Sequence, residues 1–204
     1  MPHGIQGEIT SFFKADCFYT DRHFDDRQSI LNFLTDQLKE KGLMNEAEKA
    51  SVFEREEASP TEIGNLVAIP HPIYGDPPES RIAILILDKP IVWEKERVQL
   101  VFLLSIAKDQ IASWQSIFLK LFTYLVKNDG VKEMLREPNY AAFIRNFTNQ
   151  LISNLYESLF LLPVIGGGAG FFAWPGFLFP HFNVSMSEGA YDVKKGYSGN
   201  MGRK

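Results

Sequence analysis

The chain is poor in the groups that metal sites, disulfide scaffolds and nucleic-acid binders depend on. Among 204 residues there is one cysteine, Cys17, which excludes an internal disulfide and fits a reducing compartment. The four histidines, His3, His23, His71 and His181, stand too far apart to give zinc-ligand spacing, so no metal is expected. Lysine and arginine are outnumbered, leaving a formal net charge of −4, and they are not clustered as phosphate neutralisation along a nucleic acid requires. No basic leader with an apolar stretch opens the sequence, and a cytoplasmic location is expected. The partner implied by these absences is another protein.

What is present falls into two parts. From Asp25 the apolar residues Ile30, Phe33, Leu34 and Leu38 recur at helical spacing, and Gly42 is placed to stop the helix. Asn45 followed by Glu48 reads as a capping box opening a second helix toward Glu56, with Arg55 in its last turn. Ser59-Pro60-Thr61-Glu62 has the pattern of another helix start, whose free N–H groups would attract an anion. Gly64 ends that turn, and the chain extends through Leu66 to Ile69. Ile82 to Leu87 is apolar at every position, as in a strand covered on both faces, and Val98 to Ile106 repeats the pattern. Between them Lys89-Pro90 reads as a turn and Ile91-Val92-Trp93 as a short edge strand.

Trp114, Ile117, Phe118, Leu121, Phe122 and Leu125 form a wide apolar stripe on a third long helix, stopped at Asn128-Asp129-Gly130. Shorter helices follow around Met134 and from Asn139 to Phe147. Helix pair, strands, then helices again predict an α/β domain with a mixed β-sheet flanked by helices. The composition changes near Thr148, so residues 8–147 are expected to form the domain and residues 148–204 a poorly ordered tail rich in Gly, Pro and aromatics. Leu159 to Phe179 is 21 uncharged residues, long enough to span a bilayer, but Pro163, Pro175 and five glycines interrupt it. Membrane insertion is disfavoured. The cluster Gly166–Gly170 lacks the Gly-Lys-Ser/Thr ending of a phosphate loop and reads as linker.

One histidine stands out. His71 closes the apolar run Leu66–Ile69 and lies between Pro70 and Pro72, whose fixed φ stiffens the chain on both sides and is expected to hold the ring out on a ledge. A neutral imidazole offers a nitrogen lone pair near physiological pH. A nucleophile that must meet phosphorus in line gains from being oriented beforehand. His23, near Tyr19 and Phe24, reads as a surface or loop residue.

Arg55-Glu56, Pro60-Thr61, Gly64-Asn65 and Ala68-Ile-Pro-His71, in this order and spacing, resemble the type-2 (fructose and mannitol) enzyme IIA domain of the bacterial phosphoenolpyruvate-dependent sugar phosphotransferase system. The resemblance covers the whole expected domain. Pro90 to Trp93 and Val98 to Leu104 are most similar to the copies fused to the C-terminus of antiterminator-type transcriptional regulators. It implies that His71 accepts a phosphoryl group from the carrier HPr and passes it to a cysteine of an enzyme IIB, or that phosphorylation alters contacts with an antiterminator regulation domain. Arg55 would supply the positive charge, Thr61 a hydroxyl hydrogen bond, and Asn65 orientation of the ring or phosphate. No cofactor is implied. Transport-type members often carry a second histidine at a position that corresponds here to Ser113, a departure favouring a sensing role over an efficient relay.

Overall fold

The computed structural model describes Gly7, residues 9–126 and residues 129–160. After helical residues 9–12, five strands and five further α-helices are defined there. In chain order these are β1 (Phe13–Arg22), α1 (Arg27–Glu40), α2 (Glu46–Ala58), β2 (Glu62–Gly64), β3 (Leu66–Ala68), β4 (Arg81–Val92), β5 (Arg97–Ser105), α3 (Ile111–Val126), α4 (Gly130–Arg136) and α5 (Tyr140–Phe160). The sheet order is β1-β4-β5-β3-β2. It is mixed: β1 runs parallel to β4 and β3 parallel to β5, while β4–β5 and β2–β3 are antiparallel.

Both faces of this sheet are covered, which is why its central strands are apolar at consecutive positions. Ala83, Leu85 and Leu87 of β4 and Val101 and Leu103 of β5 join Ile30, Leu34 and Leu38 of α1 and Val52 of α2 in one buried cluster. Alternation sends Ile82, Ile84 and Ile86 to the opposite face, and they are buried as well. There α5 packs on β1, with Phe13 edge-on to Phe143 at 5.3 Å and Phe143 stacked on Phe147 at 5.7 Å. The α3 stripe is buried at Trp114, Ile117, Phe118, Leu121 and Leu125, as its spacing predicts.

The expected helix starts and stops hold for α1 and α2. Asp26 accepts the Ser29 N–H at 2.7 Å. Gly42, at φ 69°, closes α1 with its N–H on Lys39 O and that of Leu43 on Leu38 O, both at 2.9 Å. Asn45 and Glu48 form the reciprocal capping box.

Three local expectations are corrected. The helical turn predicted from Ser59 does not form: Ser59 is the extended residue ending α2, and Glu62–Gly64 is strand β2. Its would-be capping acid, Glu62, instead accepts the N–H groups of Glu94 and Lys95, each at 3.0 Å, so a tertiary partner outcompetes the local box. The anion site inferred from that helix start is therefore absent. Lys89-Pro90 is not a turn before an edge strand. β4 runs through it, between β1 and β5, and takes up the lack of a proline N–H as a register irregularity between Ile86 and Ile91. Lastly, α5 continues past Thr148 to Phe160, and Leu151 is buried, so the compositional break near 148 falls within a helix. β1 carries no clear alternation, its burial being interrupted by Lys14, Asp16, Asp21 and Arg22, and goes unpredicted. Residues 161–179 of the uncharged stretch and the glycine cluster lie outside the described residues.

Candidate functional site

The site is built where α2 ends against the β2–β3 hairpin. The hairpin turn uses three successive residues with positive φ, Gly64 (79°), Asn65 (50°) and Leu66 (66°). Glycine and asparagine tolerate this region, and leucine is held there by the pairing on either side of it. The Ile69 N–H donates to Thr61 O at 3.0 Å and the Leu104 N–H to Pro70 O at 2.9 Å. These bonds deliver His71 to the end of α2.

The two strongest site candidates meet. Arg55 Nε donates to His71 Nε2 at 3.2 Å, and its Nη1 donates to Ser59 O at 2.5 Å. His71 Nδ1 lies 3.0 Å from Ile69 O. A carbonyl can only accept, so Nδ1 carries the proton and Nε2 the lone pair. The ring is 8% exposed, more deeply set than the projecting ledge expected from the two prolines. Burial pushes its pKa down to about 4, with the Arg55 charge adding to this and the Ile69 carbonyl opposing it. The imidazole is thus neutral at pH 7. Burial also lowers Arg55, and neighbouring Glu56 opposes the shift, but a guanidinium remains a cation.

Thr61 and Asn65, to which the resemblance gives a hydroxyl hydrogen bond and an orienting role, each donate to a protein group here. The Thr61 hydroxyl donates to Glu56 Oε2 at 2.6 Å and its N–H to Glu56 Oε1 at 2.9 Å. Asn65 Nδ2 donates to Leu125 O at 2.6 Å, satisfying one of the open carbonyls at the end of α3. Ser113 is exposed on the first turn of α3. His23 is a surface residue, held between Asp88 at 2.9 Å and Asp25 at 3.2 Å.

Other side chains complete the environment. Glu56, 2% exposed, also accepts the Trp93 indole N–H at 2.6 Å. Glu48, which the sequence marks only as a cap, accepts the Asp76 N–H at 2.8 Å. Ser51 Oγ accepts the N–H groups of Ile73 at 2.8 Å and Tyr74 at 3.1 Å. The spacing 48, 51, 55 is the one signal that would have grouped them, as a polar stripe on one helix face. Among the described residues no group of three or more His, Cys, Asp or Glu is arranged to hold a metal, and no helix is long and apolar enough to cross a membrane.

Residues 11–150 match the family described as phosphoenolpyruvate-dependent sugar phosphotransferase system, EIIA 2. The chain belongs to this family. It is 32% identical over 142 residues to a probable licABCH operon regulator of Bacillus subtilis (strain 168), covering 70% of this chain and 22% of that protein. The transcriptional regulator ManR of the same organism is 29% identical over 127 residues, 62% of this chain and 19% of the relative. The chain thus spans about a fifth of the length of the curated relatives it matches. Among solved structures, one chain of the complex of enzyme IIAMTL and phosphorylated enzyme IIBMTL from Escherichia coli aligns with a TM-score of 0.57 at 16% identity, over 68% of this chain and 99% of that one. The nitrogen regulatory protein IIA-Ntr from Neisseria meningitidis gives 0.59 at 18% identity, over 69% and 98%. At these identities the structures establish the shared fold. The type-2 enzyme IIA domain is therefore a phosphotransferase-system module of mixed sheet and flanking helices.

Proposed function

We propose that His71 Nε2 accepts a phosphoryl group from phosphorylated HPr in the cytoplasm and passes it to the cysteine of an enzyme IIB. The observation that carries this reading is the pairing of a neutral, tautomerically defined imidazole with a guanidinium 3.2 Å from its lone pair. In the transfer the donor's P–N bond breaks as the Nε2–P bond forms, while the Nδ1 proton stays against Ile69 O. Arg55 gives up its hydrogen bond to Nε2 and turns to the equatorial oxygens, where its charge is most useful. Thr61 and Asn65 act as positioning residues, since their donors hold the hairpin to Glu56 and to α3.

Incubation with enzyme I, HPr and labelled phosphoenolpyruvate tests the assignment. Wild type takes up one label and His71→Ala none; label surviving in His71→Ala defeats the proposal. Arg55→Lys keeps the charge but not the fork, and uptake is expected to slow about 10²-fold, as for loss of one transition-state donor.

A second reading is favoured by the regulator relatives and by Ser113 standing where transport forms often have histidine. In it, phosphorylation of His71 changes contacts with an antiterminator regulation domain. Fast uptake from HPr with no onward transfer to enzyme IIB supports that reading; rapid donation to enzyme IIB rejects it.

A further inference from the structure

Three residues on one face of α2 reach the same stretch of chain. Arg55 holds His71 Nε2, Ser51 holds the N–H groups of Ile73 and Tyr74, and Glu48 holds that of Asp76. The second oxygen of Glu48 is fixed by the Asn45 N–H at 2.8 Å, so this carboxylate cannot follow the loop if the loop moves. Gly75 lies against it, and a Cβ there would stand 2.7 Å from Glu48 Oε1. Asp76 in turn accepts the Lys108 N–H at 3.1 Å. The loop is thus registered against the helix at every turn from 48 to 55.

We propose that Ser51, assisted by Glu48, is a positioning residue for phosphoryl transfer, holding the segment after His71 so that the ring keeps one tautomer and its Nε2 stays beside the Arg55 guanidinium. This deepens the reading of His71 as phosphoacceptor and rests on it. Ser51 is fully buried and accepts two N–H groups through a single oxygen. A hydroxyl inside a helix ordinarily bonds back to its own preceding turn; this one serves the loop instead. Misplacement of a reacting atom by a fraction of an ångström to an ångström costs one to two orders of magnitude in rate.

The test compares Ser51→Ala with Phe147→Leu, a core variant in the aromatic cluster between α5 and β1 that lowers the melting temperature without removing a partner of the loop. In full-length chain, Ser51→Ala is expected to slow saturated uptake from phosphorylated HPr about tenfold, with KM for HPr changed less than twofold. In the unphosphorylated protein, ring ¹⁵N shifts of His71 move from one tautomer toward the average of two. Phe147→Leu keeps wild-type values in both measurements. A Ser51→Ala protein with the wild-type saturated rate, or slowed no more than Phe147→Leu, overturns the proposal, as does an unchanged ring spectrum. If wild type takes no phosphate at all, the function assigned to His71 fails, and the ring spectrum still decides the role of Ser51.

Discussion

The two halves of the sheet are held by different physics. Around β4 and β5 the contacts are apolar: Leu85, Leu100, Val101, Phe102 and Leu103 are completely buried among hydrocarbon and aromatic neighbours. Around β2, β3 and α2 the buried apolar residues Val52, Val67, Ala68 and Ile69 are joined by a buried polar set, Glu48, Ser51, Arg55, Glu56, Thr61 and His71. The first half gains from area removed from water, a force without direction. The second depends on donors meeting acceptors at fixed angles, and leaving one unpaired inside is costly. A fold can be stabilised by the first kind alone. A reacting nitrogen can be aimed only by the second.

Mutations that strike one half and spare the other sharpen this contrast. The largest stability loss is expected from Leu103→Ala, about 4 kcal/mol in a denaturant titration, because the cavity is enclosed on both sides. The fraction that remains folded should accept phosphate at the wild-type rate. Glu56→Gln reverses the pattern of damage: Thr61 and Trp93 lose a charged acceptor, costing about 3 kcal/mol, and uptake per folded molecule falls because Ser59, which holds Arg55, sits between Glu56 and Thr61.

Acidification is the next largest probe. The folded His71 titrates at about 4 and the unfolded ring near its ordinary value. Between those limits the unfolded chain binds the extra proton, so stability is complete above about pH 6.5 and is lost as pH falls toward about 4, by about 3 kcal/mol in all. His71→Ala should remove this part of the pH dependence, visible as a difference between the two unfolding curves at pH 4.5 and 7.5. Gly75→Ala is expected to cost about 1–3 kcal/mol, since the new methyl meets a carboxylate fixed at both oxygens. Smallest is Asn65→Gly, a loss within about 1 kcal/mol from the bond to Leu125 O, partly offset by glycine's ease at φ 50°.

The same division governs how much was legible in the sequence. The apolar half declares itself through periodicity: the α3 stripe and the unbroken runs of β4 and β5 follow from residue type alone. His71 and Arg55 were found through their motif, and the structure brings them into contact. The polar half was misread wherever a local pattern had a distant competitor. Ser59 to Glu62 has every mark of a helix start, yet Glu62 serves residues 94 and 95, more than thirty positions on. The hydrogen bonds of Thr61 to Glu56 and of Asn65 to Leu125, sixty positions on, are likewise invisible to the local motif. Ser51 gives no signal by itself, because its partners are backbone groups whose position depends on the folded loop.

Because α2 carries Arg55 and also grips the residues that follow His71, the guanidinium and the proposed phosphoacceptor hang from one helix. A shift of that helix pulls on Arg55 and on residues 73–76 together, while the Leu104–Pro70 bond ties the other side of His71 to the sheet.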